Sequence, residues 1–381
     1  RAGNKLRITS QLINVADGFR LWGADYDQEL NDILAIQTQV AQKVVAALQL
    51  QLGVEETKTL ARTPTDNPEA HRFYLLGRHH FAKMTEAGWA SADDCFRRAI
   101  ALDPAYALAF CGLADNYAFS GSNTMAGREA WAKQREMAQK AIALDPSLPE
   151  AHCSLGVARA NAYEWEAGIS ELPRSLELNP NLPYTHNQHA SVVGLVGRLE
   201  EAMRGKQKAV ELDPLSPMML ADLAWWCYLS RRFEEATMHA RKALELDSNH
   251  FGGQFTLAWA MVWKGELTLA EAQLRKAKSL DSQPWLDAAI GYLYAAKGER
   301  AKAEQALREL EQVARQRYVT PFAWVMVYVG LGESGQALDW LEKAYDDQDV
   351  GCFGLKIDPL FDRLRGEPRF QALLKKVGLD K

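Results

Sequence analysis

A Leu-Asp-Pro or Leu-Asn-Pro turn recurs along the sequence at a nearly constant interval, and it constrains the fold more than any other feature. Its leucines, with Ser replacing Pro after the last two, are Leu102, Leu144, Leu178, Leu212, Leu246 and Leu280. Every interval after the first is 34 residues, whereas the first is 42, which predicts an eight-residue insertion near residues 120–127. A period of roughly 20 to 50 residues is typical of solenoids, which stack one supersecondary unit repeatedly.

Two further series in the same register indicate what each unit is. A small residue precedes each turn, at Ala99, Ala141, Ser175, Ala209, Ala243 and Ala277. A second turn marks the middle of the later units, at Gly197, Arg231, Gly265, Gly298 and Gly332. Between the turns, apolar residues recur every three or four positions, as in amphipathic helices. The pattern predicts helix-turn-helix units in which proline ends one pair and suits the first turn of the next.

These units resemble the tetratricopeptide repeat (TPR) family. The family's small, aromatic and proline positions are matched in the first unit by Gly77, Ala92, Phe96, Ala99 and Pro104, and in the last by Tyr328, Gly332, Ala337 and Ala344. The resemblance implies an all-α solenoid of about eight units, beginning near residues 70, 107, 149, 183, 217, 251, 284 and 318. We therefore expect a TPR superhelix over residues 70–351.

The N-terminal segment has a different pattern. Apolar and polar residues alternate over residues 6–15, Asp17-Gly18 is a hairpin-turn signal, and residues 19–25 can return as the partner strand. Asn31 can then cap a helix that carries apolar residues along one side. A lone hairpin with one helix is marginal in water, so we expect residues 1–57 to be part of a larger α/β domain.

Residues 7–13, Leu21-Trp22 and Tyr26-Asp27 resemble the end of TolB-like domains. In bacterial signalling proteins such domains often lie between an effector domain and a TPR array. The resemblance implies a partial TolB-like α/β segment at 1–57, followed by a polar linker at 58–69 with two prolines nearby. At the other end, residues 352–381 are expected to form two short helices that cap the solenoid.

Net charge, apolar stretches and cysteine spacing limit the classes of partner and the compartment that we expect for this protein. The net charge of −5 leaves no basic surface of the kind that phosphate backbones require, so nucleic acid is a poor partner. No apolar stretch is long enough to span a membrane. Five scattered cysteines without a C-x-x-C pair predict buried free thiols and favour the cytoplasm, although a periplasmic array on a membrane-anchored protein stays open.

Two sequence patterns could indicate a cofactor or metal site. Residues 330–335 read G-x-G-x-x-G, which could hold a dinucleotide if a strand preceded them, but Gly332 also belongs to the mid-unit turn series. His186 and His189 are spaced as zinc ligands could be, yet we interpret them as interior residues of a helix pair. We expect no metal, no cofactor and no catalytic residues.

A row of aromatic and amide residues is the strongest functional signal. First helices line the concave face of TPR arrays, and their residues here predict a groove formed by Tyr184, Asn187, Gln188, Trp225, Tyr228, Phe255, Trp259, Trp263 and Tyr292. Aromatic rings on a rigid wall bind extended peptides well. A carboxylate clamp like that of chaperone-binding TPRs is less well matched, because Lys is missing from the corresponding positions.

We therefore expect a non-enzymatic scaffold that binds a protein or peptide ligand in this groove, in the sensing or docking region of a larger bacterial signalling protein. Two alternatives stay open. One is a nucleotide-binding or enzyme subunit that uses residues 330–335. The other is an assembly module that forms a homodimer through the N-terminal hairpin.

Overall fold

The computed structural model describes residues 5–13, 19–29, 33–47 and 64–380. Strands β1 (Lys5–Ile13) and β2 (Arg20–Glu29) form an antiparallel hairpin, and helix α1 (Ile33–Ala47) follows. Thr9 lies opposite Asp25, and its hydroxyl donates a 2.7 Å hydrogen bond to that carboxylate. The hairpin and helix are confirmed, whereas the predicted turn at 17–18, the Asn31 cap and the first half of the linker, residues 58–63, lie outside the described residues.

Eight pairs of antiparallel helices follow, as the repeat predicts. Units 1 to 8 are α2 (Pro68–Phe81) with α3 (Glu86–Leu102), α4 (Ala107–Ser120) with α5 (Gly127–Leu144), α6 (Pro149–Asn161) with α7 (Trp165–Leu178), α8 (Pro183–Leu195) with α9 (Leu199–Leu212), α10 (Pro217–Leu229) with α11 (Phe233–Leu246), α12 (Phe251–Trp263) with α13 (Leu267–Leu280), α14 (Pro284–Ala296) with α15 (Arg300–Ala314), and α16 (Phe322–Leu331) with α17 (Ser334–Asp346). The predicted insertion corresponds to the 121–126 loop and the longer helix α5.

The recurring turns have simple physical causes. In the turn between units, the Asp or Asn carboxyl or amide oxygen accepts from the backbone N–H two residues later, as Asp103 does from Ala105 at 3.0 Å. Asp145, Asn179 and Asp247 repeat this bond. Inside the later units, a left-handed residue ends the first helix, and Gly332 with a φ of 74° is one example. Arg231 adopts the same region in unit 5.

Glycines in the first helices of units 1 and 2 let these neighbouring units meet around one ring. Gly77 and Gly112 face Phe96 from units 1 and 2, and a Cβ added at either would lie 2.5 Å from the ring. First helices of most adjacent units contact each other, whereas second helices of adjacent units make no comparable contact in the described chain. The first helices therefore form the inner face of a curved array.

The array curves so far that its two ends meet. Glu86, at the start of α3 in unit 1, accepts two 2.8 Å hydrogen bonds from Arg317, and its backbone N–H donates to Asp281. Between units 2 and 8, the Trp131 indole N–H donates to the Gln348 carbonyl at 2.9 Å. The eight units thus form a closed ring.

The C-terminal segment, residues 350–379, packs against unit 8 and also against units 2 to 5. It contains short 3₁₀ helices at Val350–Gly354 and Pro359–Phe361 and then helix α18 (Pro368–Val377). Phe353 packs edge-on against Trp165, whose indole N–H donates to the Val377 carbonyl at 2.7 Å. The two predicted short helices are confirmed. In addition to the predicted terminal cap, the segment forms contacts with the inner face of the ring.

The five cysteines are free and buried, as expected. Within the described chain, no helix is both long and apolar enough to cross a bilayer.

Candidate functional site

Half-buried aromatic rings from units 5 to 7 lie on the inner face, and we call this set the aromatic wall. It consists of Trp225, Phe255, Trp285 and Tyr292. Phe255 stands between two of the tryptophans, with ring centroids 6.0 Å from Trp225 and 4.8 Å from Trp285. All four rings keep part of their surface accessible, because the first helices present them toward the inside of the ring.

Two predicted groove residues lie behind this wall and are closed to solvent. Trp259 is 2% exposed, stacks on Phe255 and lies 5.2 Å from Tyr292. Tyr228 is 0% exposed, and its hydroxyl donates a 2.5 Å hydrogen bond to Asp358 of the C-terminal segment. The expectation that these two face an open groove is wrong, because the C-terminal segment covers one and neighbouring rings enclose the other.

Asn187 and Gln188 are also buried, and their hydrogen bonds are internal. The Asn187 carbonyl and side-chain oxygens accept from the Lys206 ammonium at 2.9 and 3.0 Å. Lys206, fully buried, is further paired with Asp222. Burial lowers the pKa of Lys206, and the ion pair opposes this. Asn187 therefore orders a buried cation instead of forming part of a carboxylate clamp.

Trp263 and Tyr184 mark the two ends of the predicted row. Trp263 is half-buried and stacks on Phe233 of the second helix in unit 5, so it packs between units. Tyr184 is half-buried on the inner face of unit 4, where its hydroxyl accepts from the Gln188 amide at 2.8 Å. Of the nine predicted residues, Trp225, Phe255, Tyr292 and Tyr184 keep accessible surface on the inner face.

A second inner-face feature, which we call the polar pocket, is formed by Tyr74, Arg78, Asp115, Glu150 and Tyr184 of units 1 to 4. Arg78 donates to Asp115 at 3.3 Å, and the other Asp115 oxygen accepts from Ser154 at 2.8 Å. The Arg78 guanidinium lies 5.9 Å from the Tyr184 ring centroid. One cation and two carboxylates thus share a small region of units 1 to 3.

Burial dominates the electrostatics of the polar pocket. It raises the pKa of the Asp115 carboxyl even though Arg78 acts in the opposite direction, and it raises the pKa of Glu150 in the same way. Burial also raises the pKa of Tyr74 to about 12. An ionised side chain in this pocket is therefore destabilised unless a group of opposite charge is close.

Sequence reasoning missed the polar pocket and Trp285. The signal was present, because Arg78 and Asp115 hold the same unit position as Trp225. In units 1 and 2 this position is charged and not aromatic, so the aromatic pattern of the later units does not extend to it.

The glycine-rich residues 330–335 form a connection between helices. Gly330 is inside α16, and Gly332 is the left-handed residue that ends it. The preceding apolar run is a helix, not the strand of a dinucleotide site, so the mid-unit turn interpretation is confirmed.

Two histidines, one in unit 3 and one in unit 4, have protein groups as partners. His152 contacts Glu171 at 2.8 Å and the Pro146 carbonyl at 3.0 Å, and His186 contacts the Pro180 carbonyl at 2.8 Å. In the described part of the chain, no three His, Cys, Asp or Glu side chains converge as metal ligands do.

Comparison with known proteins gives partial matches. No family model matches the chain. Over 114 residues, or 30% of the chain, it is 32% identical to the putative adenylate cyclase 3 of Rhizobium meliloti strain 1021, and the match spans 19% of that protein.

Solved structures resemble the fold. TTC0263, a thermophilic TPR protein of Thermus thermophilus, matches 51% of this chain and 99% of its own with a TM-score of 0.42 and 20% identity. The APC/C hetero-tetramer Cut9–Hcn1 matches with a TM-score of 0.55 at 14% identity, over 88% of this chain and 59% of that chain. Together with the eight helix pairs, this second match identifies the fold of residues 68–346 as a tetratricopeptide-repeat superhelix.

Proposed function

We propose that this chain is a scaffold that binds a protein or peptide segment on the inner face of the ring. The observation that carries the proposal is the aromatic wall, in which four half-buried rings stay accessible although neighbouring aromatic residues are buried. Rings held by packed helices lose little freedom on binding, so they suit a role as anchors. The partner segment is apolar or aromatic where it meets the wall.

We also propose that the array is the sensing or docking region of a larger bacterial signalling protein located in the cytoplasm. Three features support this: the match to part of a putative adenylate cyclase, the resemblance of the N-terminal segment to TolB-like domains, and the buried free thiols.

The test is a selection from a random 12-residue peptide library displayed on phage, with the full chain as bait. Affinities of the selected peptides would be measured by calorimetry on the chain and on two variants. We expect Trp225→Ala to weaken binding at least tenfold. Leu269→Ala, which removes an exposed side chain from the second helix of unit 6, should leave affinity unchanged.

Failure to enrich any peptide family would contradict the proposal. Equal affinities for the Trp225→Ala variant and the unaltered chain would also contradict it, because the peptides would then bind elsewhere. Circular dichroism of both variants shows whether the helices are intact.

A second candidate, assembly through the hairpin, is favoured by one observation. Ile13 and Leu21 are more than half exposed although both are large and apolar. Edge strands with such residues pair readily with another chain. Light scattering on the full chain and on a chain lacking residues 1–57 would decide it, since only the full chain should then form a dimer.

A further inference from the structure

One carboxylate oxygen in the polar pocket has no hydrogen-bond partner. Glu150 lies in the first turn of α6, and its Oε2 atom is buried without a donor in the described structure. Leaving a buried acceptor unsatisfied costs about 1–3 kcal/mol, and more when the group is charged. Buried polar atoms of this kind in a folded protein call for a specific explanation.

The other groups of the pocket are already committed to one another. Arg78 donates to Asp115, and Ser154 satisfies the second Asp115 oxygen. The charges that act on Glu150 are Asp115, Arg78 and Asp145, so carboxylates outnumber cations around it. The pocket is therefore short of one positive charge.

The aromatic surroundings suit a cation. Tyr74 and Tyr184 are half-buried on the same inner face, and the second already receives a guanidinium 5.9 Å from its ring centroid. Aromatic faces attract cations, and a buried carboxylate forms its strongest hydrogen bonds with a charged donor. Burial raises the pKa of Glu150 because it disfavours the ionised carboxylate, and a bound cation would stabilise that carboxylate and lower the pKa again.

We propose that the polar pocket binds a lysine or arginine side chain of the segment that the inner face receives, with Glu150 as its ion-pair partner. The inference rests on the proposed function and specifies its ligand chemistry. Arg78 is a positioning residue in this site, because it holds Asp115 and leaves Glu150 for the ligand. An anionic segment would meet an excess of carboxylate and be rejected.

The spacing of the two surfaces gives the ligand a pattern. Glu150 belongs to unit 3 and Trp225 to unit 5, with Tyr184 of unit 4 between them. Packed helices are about 8–10 Å apart, so one to two such spacings separate the cation site from the apolar wall. Because an extended chain covers about 3.3–3.6 Å per residue, the basic residue should stand roughly three to six residues from the apolar anchors.

The phage-displayed 12-residue library tests this when it is selected in parallel on the unaltered chain, on Glu150→Gln and on Glu166→Gln. The control residue Glu166 is an exposed glutamate in the second helix of the same unit, so both variants lose one negative charge. Thermal melts establish that all three proteins are folded. We expect pools from the unaltered chain and from Glu166→Gln to be enriched in Lys and Arg near apolar anchors.

The Glu150→Gln pool should keep the apolar anchors and lose the basic enrichment. A selected basic peptide should also bind Glu150→Gln at least fivefold more weakly, whereas its Lys→Gln or Arg→Gln analogue should bind both proteins alike. Apolar peptides without basic enrichment on the unaltered chain would overturn this inference and leave the proposed function intact. If no peptide is enriched on any of the three proteins, both proposals fail.

Discussion

At the scale of single residues, Trp225 and Trp259 show how equivalent repeat positions acquire different roles. They stand 34 residues apart in units 5 and 6, on the same face of their first helices. Trp225 keeps accessible surface, whereas Trp259 is enclosed by Phe255, Tyr292 and Tyr228. The repeat register predicted where both rings attach, but exposure depends on neighbours from other units and from the C-terminal segment.

This difference predicts different costs of truncation. Trp259→Ala should destabilise the fold by about 3–5 kcal/mol, because it empties a packed aromatic site. Trp225→Ala should cost about 1 kcal/mol, since its ring is part-exposed, while it weakens peptide binding. Urea unfolding followed by circular dichroism measures both, and equal losses of stability would show that the two rings are packed alike.

At the scale of elements, the C-terminal segment is attached by a buried carboxylate. Asp358 accepts from the Tyr228 hydroxyl and from the Leu360 backbone N–H at 2.8 Å. Burial raises the pKa of Asp358 to about 6 despite these bonds, from an ordinary 3.8. The proline-bearing helix starts in residues 352–381 predicted two short helices. Much of the surface that receives them comes from units more than 100 residues earlier and could not be predicted from the local sequence pattern.

The raised pKa of Asp358 predicts a pH dependence of stability. The folded chain holds this proton more tightly than the unfolded chain, so the associated stability is fully present below about pH 4 and is lost as pH rises through about 6. Asp358→Asn keeps an acceptor for Tyr228 and does not titrate. The variant should therefore gain about 1 kcal/mol relative to the unaltered chain between pH 5 and 7.

Urea unfolding of both proteins at several pH values measures that difference. Asp349, whose pKa burial also raises, titrates in both proteins, so its contribution cancels. A difference that stays flat between pH 5 and 7 would mean that Asp358 is not held in a buried site.

The mid-unit turn of unit 8 provides a matched pair of glycines. Gly332→Ala should cost about 1 kcal/mol, because φ is 74° there and alanine resists the left-handed region. Gly335→Ala lies inside α17, with nothing within 4 Å of an added Cβ, and should gain about 0.5–1 kcal/mol of stability. Melting curves decide this, and a stabilised Gly332→Ala beside a destabilised Gly335→Ala would be incompatible with a helix-turn-helix connection.

At the scale of the whole molecule, the repeat period predicted eight units and their starts, because each helix pair is encoded locally by turns, small residues and apolar spacing. Closure of the ring, in contrast, is not encoded locally. It depends on a small rotation accumulated over several units, and on contacts such as Glu86 with Arg317, which are 231 residues apart. Local periodicity carries no information about where such distant side chains meet.

Closure of the ring is the central claim, since it decides which parts of the inner face a partner can reach. Lys83 in unit 1 and Lys278 in unit 6 are exposed near the junction of Glu86 with Asp281. In an uncurved array, five unit spacings of about 10 Å would separate units 1 and 6 by about 50 Å.

A short amine-reactive cross-linker followed by mass spectrometry tests the claim most directly, with mixed light and heavy isotope-labelled protein to exclude links between molecules. The closed ring predicts an intramolecular link between Lys83 and Lys278. Links between lysines of adjacent units, without any between these two, would show an open array and contradict the account.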